Sequence, residues 1–214
     1  MTTYKQSLSG LIPGLSELDQ PPAPAEPAIA DPGPLGLSAF AVTTFVLSAV
    51  NAGIIPLGVK TVVLSLALFY GGIVQIIAGI WEFKKNNTFG ATAFCSYGAF
   101  WLAYWGLSAY FKPADGMSAA DIDVALGFFL LSWTIFTAML MVAVLRTNVA
   151  LSTTFGALII TFVLLTSSHL MHSHTLEQVA GWMGLLTAGL AFYTAFAGVV
   201  NETWKRAVLP VWKI

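Results

Sequence analysis

Six apolar runs, each long enough to cross a bilayer as a helix, occupy residues 35–55, 61–83, 88–111, 123–145, 148–170 and 178–200. A spanning helix needs about 20 mostly apolar residues. The breaks between the runs are short and carry turn or charge signals: Pro56-Leu57-Gly58-Val59-Lys60, Lys84-Lys85-Asn86-Asn87, Lys112-Pro113-Ala114-Asp115-Gly116, Arg146-Thr147 and His172-Ser173-His174. The break at 145–148 is short enough to be a tight turn or a kink, but a single helix through it would be far too long to span once. The pattern predicts an all-α membrane protein with six transmembrane helices.

Charge, or its scarcity, supports this. Charged residues make up 9% of the chain and hydrophobic ones 57%, whereas a soluble domain carries about 25% charged residues. A surface so poor in charge cannot be covered with polar groups in water. The net charge of −1 gives no signal for nucleic acid. The one cysteine, Cys95, has no partner for an intramolecular disulfide and sits inside an apolar run, as a small packing residue does.

With six spans, both ends of the chain share a side with the second and fourth breaks. Lys5, Lys84, Lys85, Arg146, Lys205, Arg206 and Lys213 fall there, seven of the 9 basic residues, against Lys60 and Lys112 opposite. The positive-inside rule then places both termini in the cytoplasm of a cell (inner or plasma) membrane. Residues 1–30 include Pro21-Pro22-Ala23-Pro24-Ala25-Glu26-Pro27 and read as a mobile, proline-rich cytoplasmic tail. Residues 31–201 form the membrane domain, and 202–214 a cytoplasmic C-terminal tail. The segment at 7–15 is too short and too broken by Gly and Pro for a signal peptide or a span.

The second and third runs hold more small and hydrogen-bonding residues than an anchor in lipid needs: Gly71, Gly72, Gln75, Gly79, Thr88, Gly90, Thr92, Ser96 and Tyr97. Small residues recur every four positions at Ala67, Gly71, Gln75 and Gly79, at Ala91, Cys95, Ala99 and Ala103, and at Ala180, Gly184 and Ala188. Helices in lipid associate through close packing of small residues, so these stripes predict a tight bundle. Trp81, Trp105, Trp182 and Trp204 lie near run ends, where amphipathic rings anchor at the interface. Phe89-Gly90-Ala91 and Phe155-Gly156-Ala157 are the only echo between runs.

No Lys or Arg sits inside a run, so an anion would have to be held by neutral donors and helix N-termini. The donors are Thr43, Thr44, Ser48, Asn51, Gln75, Asn86, Asn87, Thr88, Ser96 and Tyr97; the two helix starts with suitable residues are Asp31-Pro32-Gly33-Pro34 and Asn86-Asn87-Thr88. Weak holding at several sites suits conduction. Glu82 is the one carboxylate embedded in a run, and a helix-end partnership with Lys84 or Lys85 weighs about as much as a functional role. No hydrolase, zincin or phosphate-loop motif occurs, nor paired carboxylates at mid-span, and no enzyme activity or cofactor is expected. His169, His172 and His174 are of a type that binds metal, but with no carboxylate or thiolate placed beside them they read as a solvated loop, and no metal site is assigned.

Three stretches carry a family resemblance. DPGPLGL at 31–37 resembles the NPAPLGL signature of the acetate uptake transporters, the succinate–acetate permease (GPR1/FUN34/YaaH) family. YGGIVQIIAGIWEF at 70–83 and NTFGATAFCSYGAFW at 87–101 resemble the family's second and third helices, and the similarity runs on through ALGFFLLSWTIFT at 125–137 to AFYTAFAGVVN at 191–201. The resemblance implies six-helix subunits assembled as a homohexamer, each with its own pore for acetate, succinate or other small carboxylates, acting as an anion channel or a proton-linked symporter. Carried over by motif, the constriction would be Phe40, Tyr97 and Leu158, with Thr44 one turn beyond Phe40, and Gln75, Asn87 and Thr88 on the path. In the signature Asp31, Pro32, Pro34, Leu35, Gly36 and Leu37, Asp31 stands for the usual Asn, and Gly33 for the usual Ala. Asp caps a helix as Asn does, but it repels an anion unless paired or protonated. The same lack of buried cations also suits a channel for a neutral solute such as urea or ammonia.

Overall fold

The computed structural model describes residues 29–59 and 61–214. The expectations for residues 1–28 and for Lys60 lie outside the described residues. The chain divides into a unit of residues 1–30 and a helical unit from Asp31 to Ile214.

The helical unit contains six rods: α1 (Gly33–Asn51), α2 (Val62–Lys84), α3 (Thr88–Tyr110), α4 (Ala119–Val144), α5 (Val149–Leu170) and α6 (His174–Trp204). In lipid the backbone must satisfy its own hydrogen bonds, and a continuous helix does so. Five of the six are long and apolar enough to cross a membrane. The exception, α3, has the length, but Gly, Ser, Thr, Tyr and Trp interrupt its apolar side chains. The chain is thus an all-α, multi-pass membrane protein. Within α2, Phe69–Val74 is wound as a π-helix, and Gln75 is the first residue after it. A π segment is uncommon and shifts the helix face by part of a turn.

Each connection has a local cause. Asn86 takes a left-handed conformation, φ 56°, which lets the α2–α3 turn close in three residues. The 145–148 break is a tight turn: Thr147 Oγ1 donates to Val144 O at 2.7 Å, and Asn148 caps α5 through Leu151 N at 2.9 Å. Ser118 and Asp121 form a reciprocal capping box at the start of α4. Ser173 accepts from Leu176 N at 3.3 Å and starts α6 four residues ahead of the apolar run.

The rods pack as α2 on α3, α4 on α5, and α6 on both α5 and α1. Glycines permit backbone-to-backbone approach between rods. A Cβ on Gly79 would stand 2.7 Å from Cys95 N of α3, and one on Gly181 would overlap the backbone at Asn51 and Ala52 that ends α1. The α6 stripe is used throughout, with Ala180 and Ala188 buried and Gly184 against Ser48. The α3 stripe is used at one end only: Ala91 is buried, Ala99 faces outward, and Gly98 makes the close contact with Gly72 O instead. By contrast α4 buries only Gly127, Thr137 and Val144, and presents Phe128, Ile135, Met139 and Val142 outward.

The C-terminal residues fold back on the bundle. Lys205, φ 52°, ends α6, and Asn201 then clamps the reversed chain. Its Oδ1 accepts from Val208 N and Leu209 N at 2.7 and 2.9 Å, and its Nδ2 donates to Leu209 O at 2.8 Å. Further along, Val149 N and Ala150 N donate to Trp212 O and Val211 O at 2.8 and 3.2 Å.

Candidate functional site: a cavity among the helix ends

A cavity of about 360 Å³ opens at the end of the bundle where α1, α3 and α5 begin and α2 and α6 finish. Its rim carries Asp31, Gly33 and Pro34 from the start of α1, Asn87, Phe89 and Gly90 from α3, and Thr147, Asn148 and Leu151 around the start of α5. Glu82 and Lys85 from the end of α2, Gly198 and Asn201 from α6, and Val211 complete it. Three helix N-termini therefore meet at one opening, an arrangement that favours negative charge. The sequence predicts two of them. The third, at Asn148, carries the same signal as Asn87, an amide directly before an apolar run.

The caps differ in how many donors they leave. At α5 all of the first N–H groups are taken: Val149 and Ala150 by the C-terminal segment, Leu151 by the Asn148 side chain, and Ser152 by Asn148 O at 3.0 Å. At α3, Asn87 Oδ1 accepts from Gly90 N at 3.1 Å. At α1, Asp31 Oδ1 accepts from Gly33 N at 3.0 Å and from Lys85 Nζ at 2.8 Å. Asp31 thus precedes the N-cap, Pro32, holds the first helical N–H and is half of an ion pair, which offsets the repulsion it would otherwise exert on an anion. The sequence offers Lys85 as a partner of Glu82. It reaches Asp31 instead, while Glu82 Oε2 accepts from Asn87 Nδ2 at 2.8 Å.

The floor lies at a common depth. Phe40, Tyr97 and Leu158 stand seven, nine and nine residues past the first residues of α1, α3 and α5, and Gln75 and Thr194 nine and ten before the last residues of α2 and α6. At 1.5 Å per residue this is about 10–15 Å below the rim. Phe40, Tyr97 and Leu158 are all buried. The Phe40 and Tyr97 rings are 6.1 Å apart, and Phe155 is 6.1 Å from Tyr97 on another side. Tyr97 is fixed from behind by α4. Thr137 Oγ1 spends its proton on Trp133 O at 2.7 Å, so Tyr97 Oη donates to Thr137 Oγ1 at 2.9 Å. The ring thus faces the cavity while its hydroxyl is held. Gln75 is buried at the floor, and its Oε1 has no protein partner.

The remaining expected residues fall around this frame. Leu37 lines the cavity beside Pro34, whereas Pro32 and Gly36 are buried, with Gly36 against the Phe94 ring, and Leu35 faces outward. Thr44 lies below the floor, buried, with Oγ1 unpartnered. Thr88 is exposed at the first position of α3, so its neighbour Asn87, not Thr88, faces the opening. Sequence reasoning missed Asn148, Asn201 and the Thr154–Thr194 pair on the wall, whose hydroxyls are 3.5 Å apart.

At the opposite end of the bundle the histidines do have a carboxylate, contrary to the sequence expectation. Asp123 of α4 contacts His169 Nδ1 at 3.1 Å and His172 Nδ1 at 3.0 Å, and His174 pairs with Glu177 at 3.3 Å. The partners lie 46 and 49 positions apart in sequence, which is why the local pattern did not reveal them. Among the described residues no group of three or more such side chains converges on a metal-binding position.

A family model described as the GPR1/FUN34/yaaH family matches residues 17–214. The chain belongs to that family. It is 42% identical over 198 residues to "Ammonia transport outward protein 2" of Saccharomyces cerevisiae, covering 90% of this chain and 67% of that protein. To the "Succinate-acetate/proton symporter SatP" of Escherichia coli K12 it is 38% identical over 183 residues, 86% of this chain and 95% of that one. The fold matches a solved structure of the bacterial acetate channel SatP with TM-score 0.79 and 38% identity, over 86% of this chain and 99% of that chain.

Proposed function

We propose that this protein carries acetate and other small carboxylates across a cell membrane, through a path in each subunit that enters by the cavity described above. The observation that carries the proposal is the alignment with the acetate channel SatP along 99% of its length, combined with a cavity whose floor gathers the three residues that the family motif assigns to a constriction. Each element of the cavity suits a small monocarboxylate. The rim gathers the positive dipole ends of three helices and the side-chain amides of Asn87, Asn148 and Asn201 near the carboxylate head, without an unpaired cation that would hold it tightly. The floor offers Phe40, Tyr97 and Leu158 for the methyl group and the Gln75 amide for an oxygen. A bare carboxylate loses its hydration among apolar rings at a cost, so the ring set acts as the selective step. We place the rim on the cytoplasmic side, with both termini, because Lys84, Lys85 and Arg146 lie beside it. A homohexamer fits the outward apolar face of α4, which a neighbouring subunit or lipid would cover. The membrane domain at 31–201 and the cytoplasmic C-terminal tail at 202–214 are part of the proposal.

Labelled-acetate flux into proteoliposomes, at varied pH and membrane potential, with succinate and urea as competitors, tests the assignment. Saturable flux above protein-free vesicles, with competition by other small carboxylates, is the expected result. A second reading has its own support. A relative 42% identical bears the name of an ammonia transporter, and the only lysine on the cavity wall is committed to Asp31. Ammonia or urea flux that ignores membrane potential and is not inhibited by acetate would favour that reading and reject the first.

A further inference from the structure

Three charged side chains line the cavity: Asp31, Glu82 and Lys85. They are not equivalent. Asp31 and Lys85 are partly exposed and neutralise each other across 2.8 Å. Glu82 is 1% exposed and, among the described residues, forms no ion pair; Lys85, the nearby cation, is paired with Asp31. Its hydrogen-bond partner is a neutral amide, Asn87 Nδ2. On its other oxygen it approaches the start of α1, where a Cβ on Gly33 would stand 3.5 Å from Oε1. On the α3 side Gly90 leaves the space that the carboxyl occupies, since a Cβ there would lie 2.8 Å from Glu82 Cδ. The groups facing it are therefore Asp31 from α1, Lys85 from its own helix end, and the uncharged Asn87 and Gly90 from α3. An ionised Glu82 leaves the wall with two negative charges and one positive; a protonated one leaves it balanced. A wall with excess negative charge opposes entry of the anion that the rim otherwise favours, and a buried carboxylate without a cation is itself costly.

We propose that Glu82 is the residue that couples a proton to passage of the carboxylate. The proposal rests on the transport function above and adds a residue to it. Protonated Glu82 meets an incoming carboxylate at the rim and donates its proton. The O–H bond on the Glu82 carboxyl breaks, one forms on a substrate oxygen, and no oxidation state changes. The substrate continues as the neutral acid, which crosses the Phe40, Tyr97 and Leu158 ring without the desolvation cost of an anion. Glu82 is left as a carboxylate, held by the Asn87 amide until a proton from solution restores it. One proton accompanies each carboxylate.

The experiment compares the wild-type chain with Glu82→Gln and Glu82→Asp in liposomes. It follows labelled acetate together with a lumenal pH dye, with the potential clamped by valinomycin and potassium and protein-free vesicles subtracted. Asp115→Asn, an exposed acid of the α3–α4 loop, controls for general charge effects and is expected to match wild type. Wild-type flux should rise as pH falls, by up to roughly tenfold per unit while Glu82 is mostly ionised, and the lumen should gain one proton per acetate. Glu82→Gln should flatten the pH profile and abolish the linked acidification. Glu82→Asp, one methylene shorter and withdrawn from Asn87, should keep the acidification with a displaced profile, which preserves the test if the glutamine variant does not fold. Wild-type profiles and proton stoichiometry in both variants would overturn the inference while leaving acetate transport standing. A wild-type chain that moves no acetate would overturn both.

Discussion

The two ends of this bundle are built from the same helices yet differ in what their polar groups do. At the end where α1, α3 and α5 begin, amides, a buried carboxylate and an ion pair surround a cavity of about 360 Å³. Below the floor, hydroxyls are spent on neighbouring helices. Thr161 and Thr187 join α5 to α6 at 3.0 Å, and Thr134 and Thr166 join α4 to α5 at 3.1 Å. At the far end Asp123 ties α4 to His169 and His172. Polar side chains in lipid are costly unless partnered. The closed half joins several of them across helices and gains rigidity, although Thr44 Oγ1 and Trp101 Nε1 stay unpartnered there. The open half leaves Gln75 Oε1 unpartnered, an acceptor for the O–H of a protonated acid, and Glu82 bonded only to the neutral Asn87 amide.

The largest effect should come from removing the floor that separates the halves. Tyr97→Ala deletes a buried ring that touches Phe40, Trp133, Phe136 and Phe155, and removes the hydroxyl that donates to Thr137 Oγ1. Losing a buried aromatic ring costs about 3–5 kcal/mol, which a thermal midpoint in detergent should register as a clear drop. Succinate flux should rise relative to acetate in the same variant, as the constriction widens. Leu158→Ala should act in the same direction at about 2–5 kcal/mol. If both variants keep wild-type size selection, the floor is not the selective step.

Deleting residues 208–214 should come next. The deletion frees Val149 N and Ala150 N at the start of α5 and leaves the Asn201 amide without its clamp. At about 1 kcal/mol for each bond lost, the sum is a few kcal/mol, measurable by melting. The freed N-terminus would add donors to the rim. Half-saturation by acetate should fall if those donors reach the substrate, and stay constant if they do not.

A smaller change should follow Asn87→Ala, which removes both the α3 cap and the amide on Glu82. An N-cap of this type is worth about 1 kcal/mol. The loss of stability should be modest, whereas the pH profile of flux should shift because Glu82 loses its one hydrogen bond. Asn148→Ala removes a cap of the same kind without touching Glu82. It should therefore match the stability loss without the pH shift, and equal shifts in both would detach Glu82 from the effect.

How much of this was legible in the sequence follows the same division. The six rods and their breaks were readable because span length and turn residues are local. The floor came from motif resemblance, and the burial of Phe40, Tyr97 and Leu158 at one depth agrees with a shared location. Partnerships were not readable. Glu82 bonds Asn87 because left-handed Asn86 folds the turn back, while Lys85 swings to Asp31, 54 positions away. The C-terminal fold-back uses backbone donors and one asparagine, leaving no periodic trace. The π segment before Gln75 has no signature beyond two adjacent glycines.

The smallest effect should come from the far end. Replacing His169, His172 and His174 with alanine removes the side chains that hold Asp123 and Glu177. These groups are partly exposed, and pairs of this kind contribute about 0–1 kcal/mol, so the thermal midpoint should move little. Acetate flux should stay close to wild type, since none of the three histidines lines the cavity. A collapse of flux would place the histidines on the route and end the contrast between an open and a closed half. Bound zinc in stoichiometric amount, lost in the triple variant, would give the far end a chemistry of its own.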